Sequence, residues 1–158
     1  MDAKPVRESA SEYSELALPN DANGLGAVLG GKVMHLVDLA AAMAGMRHAR
    51  RPIVTASVDS FHFLHPVHIG ELIVLRSSVN RVFRTSMEVG VKVVTENLMT
   101  GELVHTCSAY LTFVALDSEG KATPIPAVIP ETADEIRRFR EAGERREYRL
   151  AMRSRLRR

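Results

Sequence analysis

The chain has 158 residues, 46% hydrophobic and 25% charged, with a formal net charge of +2 and one cysteine. That length and balance describe one globular domain with a substantial core and exclude a disordered chain. Met1 to Glu12 lacks the apolar stretch of a secretory signal, the longest apolar run is too short and alanine-rich to span a bilayer, and the lone Cys107 excludes an internal disulfide, so a cytoplasmic location is expected.

Residues 1–12 are polar and expected to be flexible. Tyr13 to Leu18 reads as a short edge strand ended by Pro19 and Asn20. A glycine-rich loop, Asn23 to Gly31, then opens a segment that is apolar at nearly every position from Val33 to Met46, the pattern of a helix buried all round. Arg47, His48 and Arg50 place positive charge at its end, where the helix dipole favours it, and Pro52 stops it. From Ile53 the period changes to alternation, giving strands over Ile53 to Phe63, Glu71 to Val79, Met87 to Glu96 and Leu103 to Leu116. One helix followed by four strands with short links implies an α+β fold, a mostly antiparallel sheet packed on the helix.

Asp117 to Gly120 is a turn, and Pro124, Pro126 and Pro130 keep the chain extended. Thr132 and Glu135 have capping-box spacing, so a second helix starts there, tethered through Ile136, Phe139 and Tyr148. From Ile136 to Arg158 it carries ten arginines against three glutamates, leaving 11 basic and 16 acidic residues before it. A basic end on an acidic body suggests a phosphate-bearing partner, although a solvated helix with a basic tail reads the same way.

The one carboxylate inside the apolar helix is Asp38. Charging it there is costly unless it is hydrogen-bonded, so burial should raise its pKa and suit it to proton transfer. A structural pairing with an arginine is the alternative.

Asp21-Ala22-Asn23-Gly24-Leu25-Gly26-Ala27-Val28-Leu29-Gly30-Gly31, followed by Asp38, resembles the hotdog-fold acyl-CoA thioesterases, in particular the cytosolic acyl-CoA hydrolase group of brain acyl-CoA hydrolase and the YciA-like enzymes. The likeness continues through Ile53 to Asp59, Pro66-Val67 with Gly70, Arg84 to Val89, Leu111 to Val114 and Pro130 to Thr132. The sequence departs from the family pattern at Leu29, where Phe or His is common, and at Phe83, where glycine is common. The resemblance implies a long helix wrapped by a curved antiparallel sheet over residues 13–126, with residues 127–158 as a C-terminal extension. It also implies dimers joined edge to edge, often as trimers of dimers, and hydrolysis of an acyl-CoA thioester to a fatty or other carboxylic acid and coenzyme A. Asn23 and Asp38 would serve catalysis, and Arg84, Thr85 and Ser86 would contact coenzyme A. No cofactor is called for, since coenzyme A belongs to the substrate, and neither nucleic acid nor membrane is expected as a partner.

For that chemistry, free N–H groups at the helix start, around Gly30, Gly31 and Lys32, can face the developing oxyanion. Asp38 would activate water or attack directly, and Asn23 could hold the water or the carbonyl. Asp38 is seven residues beyond Gly31, about 10 Å along a helix axis, too far for both to serve one carbon. A site shared between two subunits is therefore expected. Coenzyme A phosphates would be neutralised by the arginine-rich end, Arg84 or Lys92.

Other features read more simply. His62, His65 and His68 lack the Cys or carboxylate pattern that would complete a zinc shell. His35, one turn before Asp38, and Cys107 read as interface or core residues. A non-catalytic acyl-CoA binding or sensing module on the same fold is the competing reading; it would not need a carboxylate in the helix.

Overall fold

The computed structural model describes residues 1 to 157. In chain order it contains β1 (Lys4–Pro5), a 3-10 turn (Val6–Glu8), β2 (Ser11–Leu16), a second 3-10 turn (Pro19–Asp21), α1 (Gly30–Ala49), β3 (Ile53–Phe63), β4 (Leu72–Phe83), β5 (Ser86–Glu96), β6 (Leu103–Ala115), β7 (Val128–Ile129) and α2 (Ala133–Leu156). Five strands form one antiparallel sheet in the order β2-β4-β5-β6-β3. The long helix on an antiparallel sheet, with an added C-terminal helix, is the arrangement expected.

Alternation decides which side chains enter the core. Met87, Val89 and Val91 of β5 and Ala109, Leu111 and Phe113 of β6 are buried in one cluster with Leu36, Val37, Ala40 and Ala44 of α1. The small residues let helix and sheet approach closely. A Cβ on Gly45 would stand 2.8 Å from Ile53 Cδ1 and 2.9 Å from Met87 Cε, so glycine here serves packing. The helix is not buried all round, however. Met34, His35, Leu39 and Met46 are exposed on one flank, and among the described residues β3 beside it pairs only with β6, leaving its other edge open.

Strand alternation on β3 is broken by register shifts between Thr55 and Ser57 and between Asp59 and His62, with Ser60 at φ 36°. These bulges bend the edge strand and defeat a simple two-face assignment.

Residues 1–12 are not loose. β1 pairs in parallel with β7, Val6 and Ser9 are buried, and Ser9 Oγ accepts from the Val79 N–H at 2.9 Å while donating to Val6 O at 2.7 Å. A buried hydroxyl satisfied on both sides anchors a segment whose composition looks mobile.

α2 lies on the sheet face opposite α1, because its partners Glu88 and Tyr110 alternate with inward Met87, Val89 and Leu111. It crosses the sheet from β4 to β3. The Arg81 guanidinium sits 4.1 Å from the Phe139 ring centroid, Arg145 bonds both Glu88 oxygens at 2.7 and 3.0 Å while lying over Tyr110, and Arg149 reaches Asp59 at 2.6 Å. Of the three tethers expected, Phe139 alone serves; Ile136 and Tyr148 are exposed. Besides the half-buried Phe139 only the small Ala142 is buried on α2, and arginine contacts to carboxylates and rings supply the rest, so hydrophobic patterning could not foresee the docking.

His48 also differs from expectation. It is fully buried, its Nε2 lies 2.7 Å from Pro126 O, and its Nδ1 has no partner among the described residues. The carbonyl requires Nε2 to donate, which leaves Nδ1 unprotonated. Burial lowers its pKa below the usual 6.5, so it is a neutral core group rather than a charge for the helix dipole.

Two outcomes follow from these contacts. Below pH 6.5 the unfolded chain protonates His48 while the folded one resists, so stability should fall as pH drops through that value. Urea denaturation of His48→Gln should show this part of the acid sensitivity removed. Glu88 is fully buried, so Arg145→Ala strands a charge and should cost about 3–5 kcal/mol in thermal denaturation, whereas Arg137→Ala on the exposed surface should cost less than about 1 kcal/mol.

Candidate active site

The loop before α1 is organised by Asn23. Its Oδ1 accepts from the N–H groups of Leu25 at 2.8 Å and Ala27 at 3.3 Å, and its own N–H donates to Ala27 O at 2.7 Å. Two backbone donors fix which end of the amide is oxygen, so Nδ2 points away from the loop as a donor. Asn23 therefore builds the loop, and its Nδ2 makes no hydrogen bond among the described residues.

α1 begins without a cap. Its N-cap residue is Leu29, which makes no side-chain bond to the helix. The Lys32 N–H, expected to be free, donates instead to Leu29 O at 3.0 Å, as does the Val33 N–H at 3.3 Å. Among the described residues no acceptor takes the N–H of Gly30 or Gly31, and both glycines are exposed. These are bare donors at the positive end of a 20-residue helix, suited to an oxyanion. Phe63 at the end of β3 lies over Gly30, its ring 3.5 Å from where a Cβ would stand.

Asp38 sits two turns further on, half-buried on the open flank rather than enclosed by the core. Thr55 near the start of β3 donates its hydroxyl to Asp38 Oδ1 at 2.8 Å. That bond holds the carboxylate and leaves Oδ2 for another donor. Thr55 was not singled out by sequence reasoning, although it lies inside the Ile53 to Asp59 stretch that carried the resemblance. His35 is exposed, and Asp38 takes its side-chain hydrogen bond from Thr55 instead.

The chain thus holds the helix start and Asp38 apart. Gly30 lies at the Phe63 end of β3, and Asp38 lies towards the Ile53 end. Arg84, Thr85 and Ser86 are at the Ile53 end too: Ala115, the register partner of Ile53, donates to Thr85 O at 3.1 Å, and Arg84 O accepts from Ile125 at 2.7 Å. At about 3.3 Å per residue the two ends of β3 are roughly 30 Å apart, so Gly30 and the Arg84 hairpin do not meet within one chain. Phe83, where the resemblance leads to an expected glycine, places its ring near Arg81 and Arg146, and the left-handed turn position falls on Arg84 at φ 61°.

The basic end is partly committed elsewhere, because Arg145 and Arg149 are paired with Glu88 and Asp59. Cys107 is buried, and burial pushes its thiol up to about 11, which removes it as a nucleophile at neutral pH. His62, His65 and His68 are exposed, and no metal-holding cluster occurs among the described residues. No helix among them is long and apolar enough to cross a membrane.

The sequence matches the model of the thioesterase superfamily over residues 25–102. A relative from Bacillus subtilis (strain 168), the uncharacterized acyl-CoA thioester hydrolase YkhA, is 44% identical over 139 residues, 88% of this chain and 81% of that protein. An apo-hexameric acyl-CoA thioesterase superposes with a TM-score of 0.93 at 41% identity, covering 96% of this chain and 97% of that one. An acyl-CoA hydrolase from Staphylococcus aureus, solved with butyryl coenzyme A, coenzyme A and coenzyme A disulfide, gives 0.92 at 34% identity over 98% and 94% of the two chains. Structures of that enzyme also exist with one asparagine, one aspartate or one threonine replaced by alanine, at 32–34% identity and TM-scores of 0.92–0.94. Its asparagine and aspartate are 15 positions apart and its aspartate and threonine 17, the spacings of Asn23, Asp38 and Thr55.

Proposed function

The chain belongs to the thioesterase superfamily and is an acyl-CoA thioester hydrolase of the hotdog fold, and from that premise we propose that its site is assembled from two subunits. Asp38 of one subunit activates water against a thioester carbonyl held at the bare start of α1 in the other. The separation of the half-sites along one rigid helix carries this reading.

A two-fold axis that joins the open edges of two β3 strands antiparallel supplies the missing proximity. It brings the Phe63 end of one strand, over Gly30, beside the start of the other, where Thr55 holds Asp38. The same operation carries the partner's Arg84, Thr85 and Ser86 towards the first chain's glycine loop, reuniting the residues assigned to coenzyme A. The exposed apolar side chains Met34, Leu39, Val54 and Val58 along this edge would be covered by the partner.

In the reaction Asp38 Oδ2 takes a proton from water as its oxygen bonds to the carbonyl carbon. Charge develops on the carbonyl oxygen, where the N–H groups of Gly30 and Gly31 stabilise it and Asn23 Nδ2 adds a donor. Collapse breaks the carbon–sulfur bond, and the proton on Asp38 passes to the departing thiolate. Thr55 keeps the carboxylate in one orientation throughout. The product is a carboxylic acid with free coenzyme A.

A thiol-release assay over acyl-CoAs tests these roles. Asp38→Asn should lower kcat about 10²–10⁴-fold. Asn23→Asp keeps the acceptor for Leu25 and Ala27 but loses the outward donor, so circular dichroism should be unchanged while kcat falls about 10²-fold. Undiminished turnover by Asp38→Asn would remove the base from its role.

A further inference from the structure

The chain carries a concavity well away from the thioester half-sites. It is a groove of about 800 Å³ on the outer face of the sheet, bounded by β2, β4, β5, β6 and the first turns of α2. Arg76, Lys92, Arg137 and Arg138 line it, against one lining carboxylate, Glu12. Ser77 beside Arg76 points inward and bonds Ala40 O of α1, so Arg76 itself faces away from α1 and Asp38.

The placement of these cations runs against sheet stability. Arg76 and Lys92 are direct register partners on neighbouring strands, and like charges so opposed repel. Glu12 approaches Arg76 at 3.6 Å and Asp134 approaches Arg137 at 3.6 Å, while Lys92 and Arg138 form no ion pair among the described residues. Ser108, the register partner of Lys92 on β6, adds a hydroxyl to the same wall. The acidic excess of residues 1–135 makes this clustering more pointed, since opposite charges were available to neutralise it.

We infer that the groove is a second binding site, selective for a phosphate-bearing anion. A phosphate group between Lys92, Arg76 and Arg138 turns the opposed cations from a cost into charge-assisted hydrogen bonds. The ligand is either the phosphate end of coenzyme A or a separate di- or oligophosphate, and both use the same chemistry. The site stands independently of Asp38, because it lies across the sheet from it.

Inorganic pyrophosphate is the probe. Calorimetric titration of the intact protein at low salt should show saturable binding that weakens as salt is raised. Lys92→Gln and Arg138→Gln should each weaken it about tenfold or more. Lys92→Gln also relieves the opposed pair, so its Tm should hold or rise while binding falls, which a purely structural lysine would not show. Asp38→Asn should bind pyrophosphate like the parent whatever its turnover, separating failure here from failure of the hydrolytic reading. If Lys92→Gln raises KM for acyl-CoA and not for the matching acyl-pantetheine, the groove serves the substrate's own phosphates; if neither KM moves, it serves a separate ligand. Absence of saturable pyrophosphate binding, or binding that both substitutions leave unchanged, overturns the proposal.

Discussion

The rigidity of α1 constrains everything else. Its rise fixes the bare N–H groups of Gly30 and Gly31 at about 10 Å from Asp38 along the axis, and no side-chain rotation closes that gap around one carbonyl carbon. The chain caps α2 fully, with Thr132 and Glu135 bonding each other's backbone N–H groups, yet starts α1 with Leu29, which can cap nothing. The contrast separates a helix end closed by its own side chains from one whose N–H groups stay available to a ligand. An open β3 edge and an apolar flank lie beside it, as the proposed two-subunit site requires.

The two faces of the sheet are built on different physics. The inner face is apolar and packs against alanines and Gly45 of α1, where small side chains allow close approach. On the outer face α2 is held by Arg145 on buried Glu88, Arg149 on Asp59 and Arg81 against Phe139. Asn80 adds a hydrogen bond to Glu88 at 2.9 Å, so the buried carboxylate is satisfied from two directions. α2 reaches β3 at Asp59, between the two breaks in its register, and so pins the bent edge strand from outside while Thr55 and Asp38 meet on the inside.

Much of this was legible in the residues. The glycine loop, the apolar helix and four alternating strands appear as patterns of local period, and the spacing from Asn23 to Asp38 carries the family resemblance. What was hidden depends on contacts distant in sequence. Thr55 is an ordinary strand threonine until α1 folds back beside it, and Glu88 looks solvent-facing until Arg145 arrives from the far end of the chain. His48 resembles a helix-end charge, but Pro126 and the N-terminal segment close over it. Polar residues 1–12 hide their one buried hydroxyl, Ser9, because composition averages over it.

Subunit mixing tests the shared site most directly. Asn23→Asp and Asp38→Asn chains, each nearly inactive alone, would be combined under conditions where exchange is verified by mass difference. With each two-fold pair carrying two sites, a mixed pair holds one site with both native half-sites and one with neither. Turnover should therefore recover to about half the parent value per mixed pair. Demonstrated exchange with no recovery would place both residues in the same chain's site and contradict the account.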